Sequence, residues 1–219
     1  MRATLIGATG LIGGHLLEFL LSDGHFDQVR ILIRRPVDKD HPKLEKQLID
    51  FTYLQGFRKA LEGSDVIFCC IGTTQKKVKG DKEAYRKVDF DIAVNAARLS
   101  KQCGCEKFIL VSAIGANSKS NNFYLRLKGE TEEAVKATGI RSVHIMRPSL
   151  LLGERKELRR GEKLATWLMP ALSFLLPKKF RPVYAKEVAG AMVVAAKKND
   201  PGFFIHDFSG IKQFLKSDS

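Results

Sequence analysis

The chain has 219 residues, 44% of them hydrophobic and 28% charged, with a formal net charge of +13. That length buries one core with a small appendage and leaves no material for a second. No apolar run reaches the ~20 residues of a membrane span, and Cys69, Cys70, Cys103 and Cys105 have the spacing of neither a disulfide framework nor a zinc site.

Unpaired thiols suit a reducing, cytoplasmic setting. Lys and Arg are dispersed along the chain, with local concentrations at Arg34-Arg35, residues 76–79 and residues 155–163. This argues against a nucleic-acid partner and leaves the charge as solvated surface or as a field for an anionic ligand.

Residues 3–6 form an apolar run that predicts a first strand, with no room ahead of it for a signal peptide. The run enters Gly7-Ala8-Thr9-Gly10-Leu11-Ile12-Gly13, and an apolar periodicity through Leu21 leaves that turn as a helix. Strand, glycine turn and helix together form a phosphate cradle, because free N–H groups and the positive end of the helix dipole can then approach a pyrophosphate. Gly7 permits the sharp turn, Gly10 the close approach and Gly13 the packing of helix on strand. Thr9, Leu11 and Ile12 complete the candidate cradle.

A second strand, Gln28–Ile33, runs into Arg34-Arg35. About twenty residues after such a turn, an acidic side chain takes the ribose hydroxyls, whereas arginine takes a 2′-phosphate. Arg34 and Arg35 therefore select NADP(H). A third strand is expected at 47–51, its end placing Asp50 and Phe51 to line the adenine, and a helix follows at 55–61. Residues 65–71 are apolar on both faces, as a central parallel strand requires, and deliver Gly72-Thr73-Thr74 toward the cofactor. A helix at 82–102 carries Tyr85, Val88, Ile92, Ala93, Ala96 and Leu99 on one face and ends at Gly104.

The fifth strand, 107–112, brings Ser112 to the edge where open α/β sheets hold their ligands. Twelve residues later, Tyr124 and Lys128 stand one helical turn apart on one face. A cation beside a phenol, whose ordinary pKa is about 10, makes it a better proton donor and acceptor near neutral pH. Such a group can protonate a carbonyl as hydride arrives from nicotinamide, or run the reverse, while Ser112 orients the same oxygen. Alternating strands and helices make the fold α/β, a doubly wound parallel sheet.

These residues carry a resemblance. Ser112-Ala113-Ile114-Gly115-Ala116-Asn117, then Asn122-Phe123-Tyr124-Leu125-Arg126-Leu127-Lys128-Gly129-Glu130, with Phe68-Cys69-Cys70-Ile71-Gly72-Thr73-Thr74 and Arg147-Pro148-Ser149, resemble an atypical short-chain dehydrogenase/reductase. The sequence is similar to the Tat-interacting-protein oxidoreductase family and its bacterial NAD(P)-binding relatives, over residues 1–155. The resemblance implies a Rossmann-type fold and NADP(H) held by Gly7, Gly10, Gly13 and Arg34. It also implies a Ser112, Tyr124, Lys128 triad whose lysine contacts the nicotinamide ribose, with Arg147, Pro148 and Ser149 beside the nicotinamide. Two departures stand out: Asp89 occupies the position of an asparagine in many active reductases, and Ala113 that of a second serine.

A sixth strand at 142–146 contains His144, read as structural, and the remaining histidines lack the spacing of metal ligands. Within a substrate-side segment at 150–185, the basic stretch 155–163 precedes an apolar stretch at 164–177. The apolar stretch fits a roof over a substrate, a subunit interface or a peripheral contact with an anionic membrane. A helix at 186–197 and a strand at 202–206 follow, and the tail after Gly210 is expected to fray. The whole chain, 1–219, is expected to form one domain.

Three functions fit: an NADP(H)-dependent oxidoreductase acting on a small carbonyl or alcohol, an NADP(H)-sensing regulatory protein with little turnover, and a sugar-nucleotide epimerase-like enzyme. The region after Arg147 is short for the last. The helices at 85–102 and 122–137 either bundle across a homodimer or face solvent.

Overall fold

Strands that are apolar on both faces require helices on both sides of the sheet, and the computed structural model, which describes residues 1–153, 177 and 180–217, has that arrangement. Its strands are β1 Arg2–Ile6, β2 Gln28–Ile33, β3 Leu44–Leu48, β4 Val66–Cys69, β5 Lys107–Val111, β6 Ser142–Met146, β7 Leu151–Leu152, β8 Val183–Tyr184 and β9 Gly202–His206. Its α-helices are α1 Leu11–Ser22, α2 Leu54–Leu61, α3 Lys82–Arg86, α4 Ile92–Gln102, α5 Phe123–Ala137, α6 Ala185–Lys197 and α7 Phe208–Ser217. Seven strands form one parallel sheet in the order β3-β2-β1-β4-β5-β6-β9, and β7 pairs with β8 apart from it. From β1 the chain winds outward through β2 and β3, returns to β4 on the other flank of β1, and winds outward again. The crevice where the winding reverses lies at the carboxyl ends of β1 and β4.

Alternate residues of the central strands feed two separate cores. Val66 and Phe68 of β4 join α1, α6 and α7 in one, while Ile67 and Cys69 join α2, α4 and α5 in the other. Leu16 and Leu20 of α1 are fully buried, each contributing about 1.5–3 kcal/mol over the exposed state. The alanines Ala185, Ala189, Ala191, Ala195 and Ala196 of α6 have no exposed surface and let that helix lie close to its neighbours.

Three expectations are corrected. The third strand is Leu44–Leu48 rather than 47–51, paired residue for residue with Val29–Ile33. As the sheet's outer strand it is half-exposed, and its Glu45, Lys46 and Gln47 lack the apolar pattern that marks an inner one. The tail after Gly210 does not fray: α7 runs to Ser217, anchored by buried Ile211 and Phe214. The helix at 82–102 is continuous only through a π-helical turn, Lys87–Asp91. The apolar stretch at 164–177 lies outside the described residues except for Pro177, so its three readings stand as they were.

His144 is fully buried and stacked against both Phe204, at 5.0 Å, and His206, at 5.3 Å between ring centroids. The two imidazoles share a hydrogen bond, Nδ1 of His144 to Nε2 of His206 at 3.0 Å, and Phe214 lies against His206 at 4.6 Å. Burial, and then neighbouring positive charge, pushes both rings down to about 4. A group that folds neutral contributes stability that is complete above its unfolded value of about 6.5 and is lost as protons bind the unfolded chain preferentially. The midpoint of thermal unfolding is therefore expected to fall as pH is lowered from about 6.5 toward about 4. His144→Phe, which keeps the aromatic stack and removes one titrating ring, is expected to fall less over the same window in a calorimetric series.

Candidate cofactor and active site

The turn after β1 is built from positions that exclude a side chain. Gly7 has φ +90°, and a Cβ there would stand 2.7 Å from the carbonyl carbon of Cys70. A Cβ on Gly13 would stand 2.1 Å from the Gly7 oxygen, so helix and turn meet backbone to backbone. The Gly10 amide donates to the Gly7 carbonyl at 3.0 Å and closes the turn. Thr9 and Gly10 are exposed, Leu11 is half-buried, and Ile12 and Gly13 are buried. Among the described residues no side chain caps α1, and its first turn carries no acidic residue, which leaves that positive helix end suited to an anion. This cradle fits a pyrophosphate.

Register brings the arginines close by. Ile6 pairs with Leu32, so Arg34 and Arg35 emerge one and two residues past the level of Gly7. Both are exposed, and neither has a hydrogen bond or ion pair among the described residues. Asp50 and Phe51 leave β3 in a turn. The Asp50 carboxylate accepts from the amide and hydroxyl of Thr52, at 2.8 and 2.7 Å, and Phe51 is buried edge-on against Phe57.

On the other flank of the crevice, the π turn rotates Asp89 inward until 1% of its side chain remains exposed. One carboxylate oxygen accepts the Thr73 amide at 2.7 Å, and the other binds Nζ of Lys128 at 2.8 Å. The Tyr85 hydroxyl donates to the Thr73 carbonyl at 3.2 Å, so Gly72, Thr73 and Thr74 are held in place by the helix behind them. Burial works against the Lys128 ammonium, but the Asp89 charge and hydrogen bond outweigh it and raise the lysine above its ordinary value. Burial also pushes the Cys69 thiol up to about 11 and raises Cys70 well above its ordinary value, so both are packing groups rather than nucleophiles.

Asn122 caps α5 by accepting the Leu125 amide at 3.1 Å. The helix then presents Tyr124, Lys128 and Glu132 one above another. Half-buried Tyr124 lies edge-on to Tyr85 with centroids 6.4 Å apart, and the Lys128 ammonium is 5.9 Å from the Tyr124 ring centre. The structure thus brings Tyr124 and Lys128 together on one face, with the ammonium bonded to Asp89.

Ser112, directly after β5, donates its hydroxyl to Glu132. Arg147 forks the same carboxylate, with Nε 3.0 and 3.2 Å from its two oxygens. The carbonyl of Pro148 accepts the Ile114 amide at 2.9 Å, and the Ser149 hydroxyl donates to the Arg181 carbonyl. Sequence reasoning missed Glu132. The signal was its spacing, four residues beyond Lys128 on the buried face. Gly129 beside it admits the loop after β5, since a Cβ there would stand 2.2 Å from the Ser118 nitrogen. A cleft of ≈ 330 Å³ at the amino-terminal edge, lined by Asp65, Glu106, Lys107, Arg141 and Asp200 among others, shares none of these groups.

Comparison with known proteins gives a consistent result. The family described as NAD(P)H-binding matches residues 7–166. Protein HTATIP2 of Rattus norvegicus is 34% identical over 199 residues, 90% of this chain and 79% of that protein. "Protein FMP52, mitochondrial" of Meyerozyma guilliermondii is 34% identical over 204 residues, 90% of this chain and 85% of its own. Among solved structures, MoeE5 in complex with UDP-glucuronic acid and NAD superposes with a TM-score of 0.73 at 18% identity, covering 94% of this chain and 75% of that one. UDP-glucose 4-epimerase with UDP-glucose from Thermotoga maritima gives 0.72 at 15% identity, covering 100% and 84%. At those identities the superpositions establish the Rossmann-like α/β fold.

Removing one member of a buried pair strands the other charge. Arg147→Met is expected to lower unfolding stability in urea by about 3 kcal/mol, and adding Glu132→Met is expected to recover most of that loss.

Proposed function

The chain belongs to the family described as NAD(P)H-binding and is 34% identical to HTATIP2, and from that premise we propose that it is an NADP(H)-dependent oxidoreductase of the short-chain type, acting on a small carbonyl or alcohol. The observation that carries the reading is a pair of exposed arginines, without a partner among the described residues, beside a helix N-terminus that none of those residues caps. In this reading the pyrophosphate lies on the backbone of Thr9, Gly10, Leu11, Ile12 and Gly13, with Gly7 turning the chain, and the adenosine 2′-phosphate meets Arg34 and Arg35. Gly72, Thr73 and Thr74 and the segment Arg147, Pro148 and Ser149 border the nicotinamide half.

When bound, the nicotinamide supplies or accepts hydride. The Tyr124 hydroxyl gives its proton to the carbonyl oxygen that hydride attack makes basic, or takes one from the alcohol in reverse. Lys128 stays protonated beside the Tyr124 ring, its charge balanced by Asp89. Ser112 takes part by turning its hydroxyl from Glu132 to the substrate oxygen.

That engagement of Ser112 also favours the second reading, a cofactor-sensing protein with little turnover, because the serine already has its partner. No helix among the described residues is long and apolar enough to cross a membrane. The unpaired cysteines support a reducing compartment, and we assign the protein to the cytoplasm on that ground.

NADPH at a hundred times its Kd is expected to stabilise the protein by about 2.7 kcal/mol, at concentrations well below those needed of NADH. Replacing both Arg34→Ser and Arg35→Ser is expected to weaken NADPH about tenfold or more, the loss of charge-assisted phosphate contacts, while leaving NADH nearly unchanged. Equal affinity for the two cofactors in the parent protein would defeat the phosphate assignment. Tyr124→Phe is expected to retain cofactor binding and lose turnover in an NADPH-oxidation screen against aldehydes and ketones. A parent protein that binds NADPH yet turns over nothing leaves the sensor reading.

A further inference from the structure

Among the described residues, Asp89 is the one carboxylate that touches both halves of the candidate site. One oxygen holds the Thr73 amide at 2.7 Å, in the loop that leaves β4 against the Gly7 turn, and the other holds the Lys128 ammonium at 2.8 Å. Both side chains of the ion pair are almost fully buried, at 7% and 1% exposed. The titratable groups that bear on the ammonium are Asp89 from the π turn, Tyr124 from α5 itself and Cys69 from β4. The Cys69 thiol is uncharged at neutral pH because burial pushes it up to about 11. Asp89 is thus the counter-charge to Lys128.

The location of the pair gives this charge balance a meaning. A dinucleotide crosses the crevice at the reversal of strand order. With its adenosine end at Arg34 and Arg35, past β2, its other end lies across β4 and β5, where Asp89 and Lys128 stand. The oxidised nicotinamide ring carries a positive charge and the reduced ring none. A lysine alone at that end would therefore repel the oxidised form selectively. A lysine paired with a buried carboxylate presents almost no net charge and discriminates little.

Resting on the NADP(H) reading above, we propose that Asp89 is a positioning and charge-balancing residue that fixes the preference of this site between oxidised and reduced cofactor. It seats Lys128 and the Thr73 amide by hydrogen bonds, and its charge cancels that of the lysine so that the oxidised ring is accepted. The asparagine found in many active reductases could keep one of the hydrogen bonds and supply none of the charge.

The test is a calorimetric titration of the 219-residue chain with NADPH and with NADP⁺, read as the ratio of the two Kd values. Asp89→Asn is expected to raise the ratio of oxidised to reduced Kd by about tenfold or more, the size of one uncompensated charge several ångströms away in a partly screened interior. As pH rises and the unpaired lysine loses its proton, the raised ratio is expected to return toward the parent value, which itself stays flat. Lys128→Met, which leaves the carboxylate alone, is expected to move the ratio the other way, and this arm holds even if Asp89→Asn folds poorly. Asp89→Asn combined with Lys128→Met restores neutrality and with it the parent ratio. A purely structural role would weaken both cofactors alike and leave every ratio unmoved, which would overturn the proposal. A parent protein that binds neither cofactor would overturn the NADP(H) reading itself, a result distinct from the first.

Discussion

The contact between the backbone of Gly7 and the backbone of Cys70 leaves no space for a single methyl group, and the functional half of the molecule depends on it. Because the turn lies flat against the strand beside it, α1 starts at the carboxyl edge of the sheet with its amides uncapped. The same contact fixes where the chain emerges from β4, and so where Thr73 meets Asp89. A glycine is required at Gly7 twice over, by a positive φ and by the neighbouring carbonyl. The geometry of an anion cradle is therefore set by main-chain atoms that no side-chain change elsewhere can adjust.

A second organising principle runs down α5. Lys128 and Glu132 turn two opposite charges into the protein on one face, and each finds its partner on a different element: Asp89 on the π turn and Arg147 after β6. Buried ion pairs do not add much net stability, since desolvation offsets most of the attraction. They do make misplacement expensive. Helix α5 cannot slip by a turn along the sheet without stranding two charges, so its position relative to β5 and to the loop after β4 is specified more sharply than apolar packing alone would do. The fit of Gly129 against the Asn117–Ser118 backbone adds a steric limit in the same direction.

The parts of the fold legible in the sequence were those where periodicity and burial agree. β4 is apolar throughout, β1 and β2 end in the apolar runs Leu5-Ile6 and Ile31-Leu32-Ile33, and the opening turn announces itself by three glycines. β3 was placed three residues late because an outer strand with Glu45 and Lys46 has no alternation to read, while Phe51 imitates a strand end and instead packs on Phe57. The terminal helix is hard to read because Ile211, Phe214 and Leu215 are the few apolar residues in a polar tail, and Phe214 gains its place against His206 only in the folded chain. At the site, the spacing of Tyr124 and Lys128 was readable from helix geometry. The engagement of Ser112 with Glu132 was not, because a hydrogen bond between residues on separate elements leaves no local pattern. The π turn was equally invisible, since one extra residue per turn changes which side chain faces inward without changing composition.

Arg34 and Arg35 differ from everything else in the site by resting on nothing. Asp89, Lys128, Glu132 and Arg147 are tied to neighbours whose loss would cost folding energy, whereas these two stand exposed at the end of β2 with no partner among the described residues. Charge at that edge can be exchanged or reversed without drawing on the stability of the sheet. The feature that chooses among anionic ligands is thus separable from the feature that holds the chain together, and a lineage carrying this fold can change what it selects while leaving its scaffold untouched.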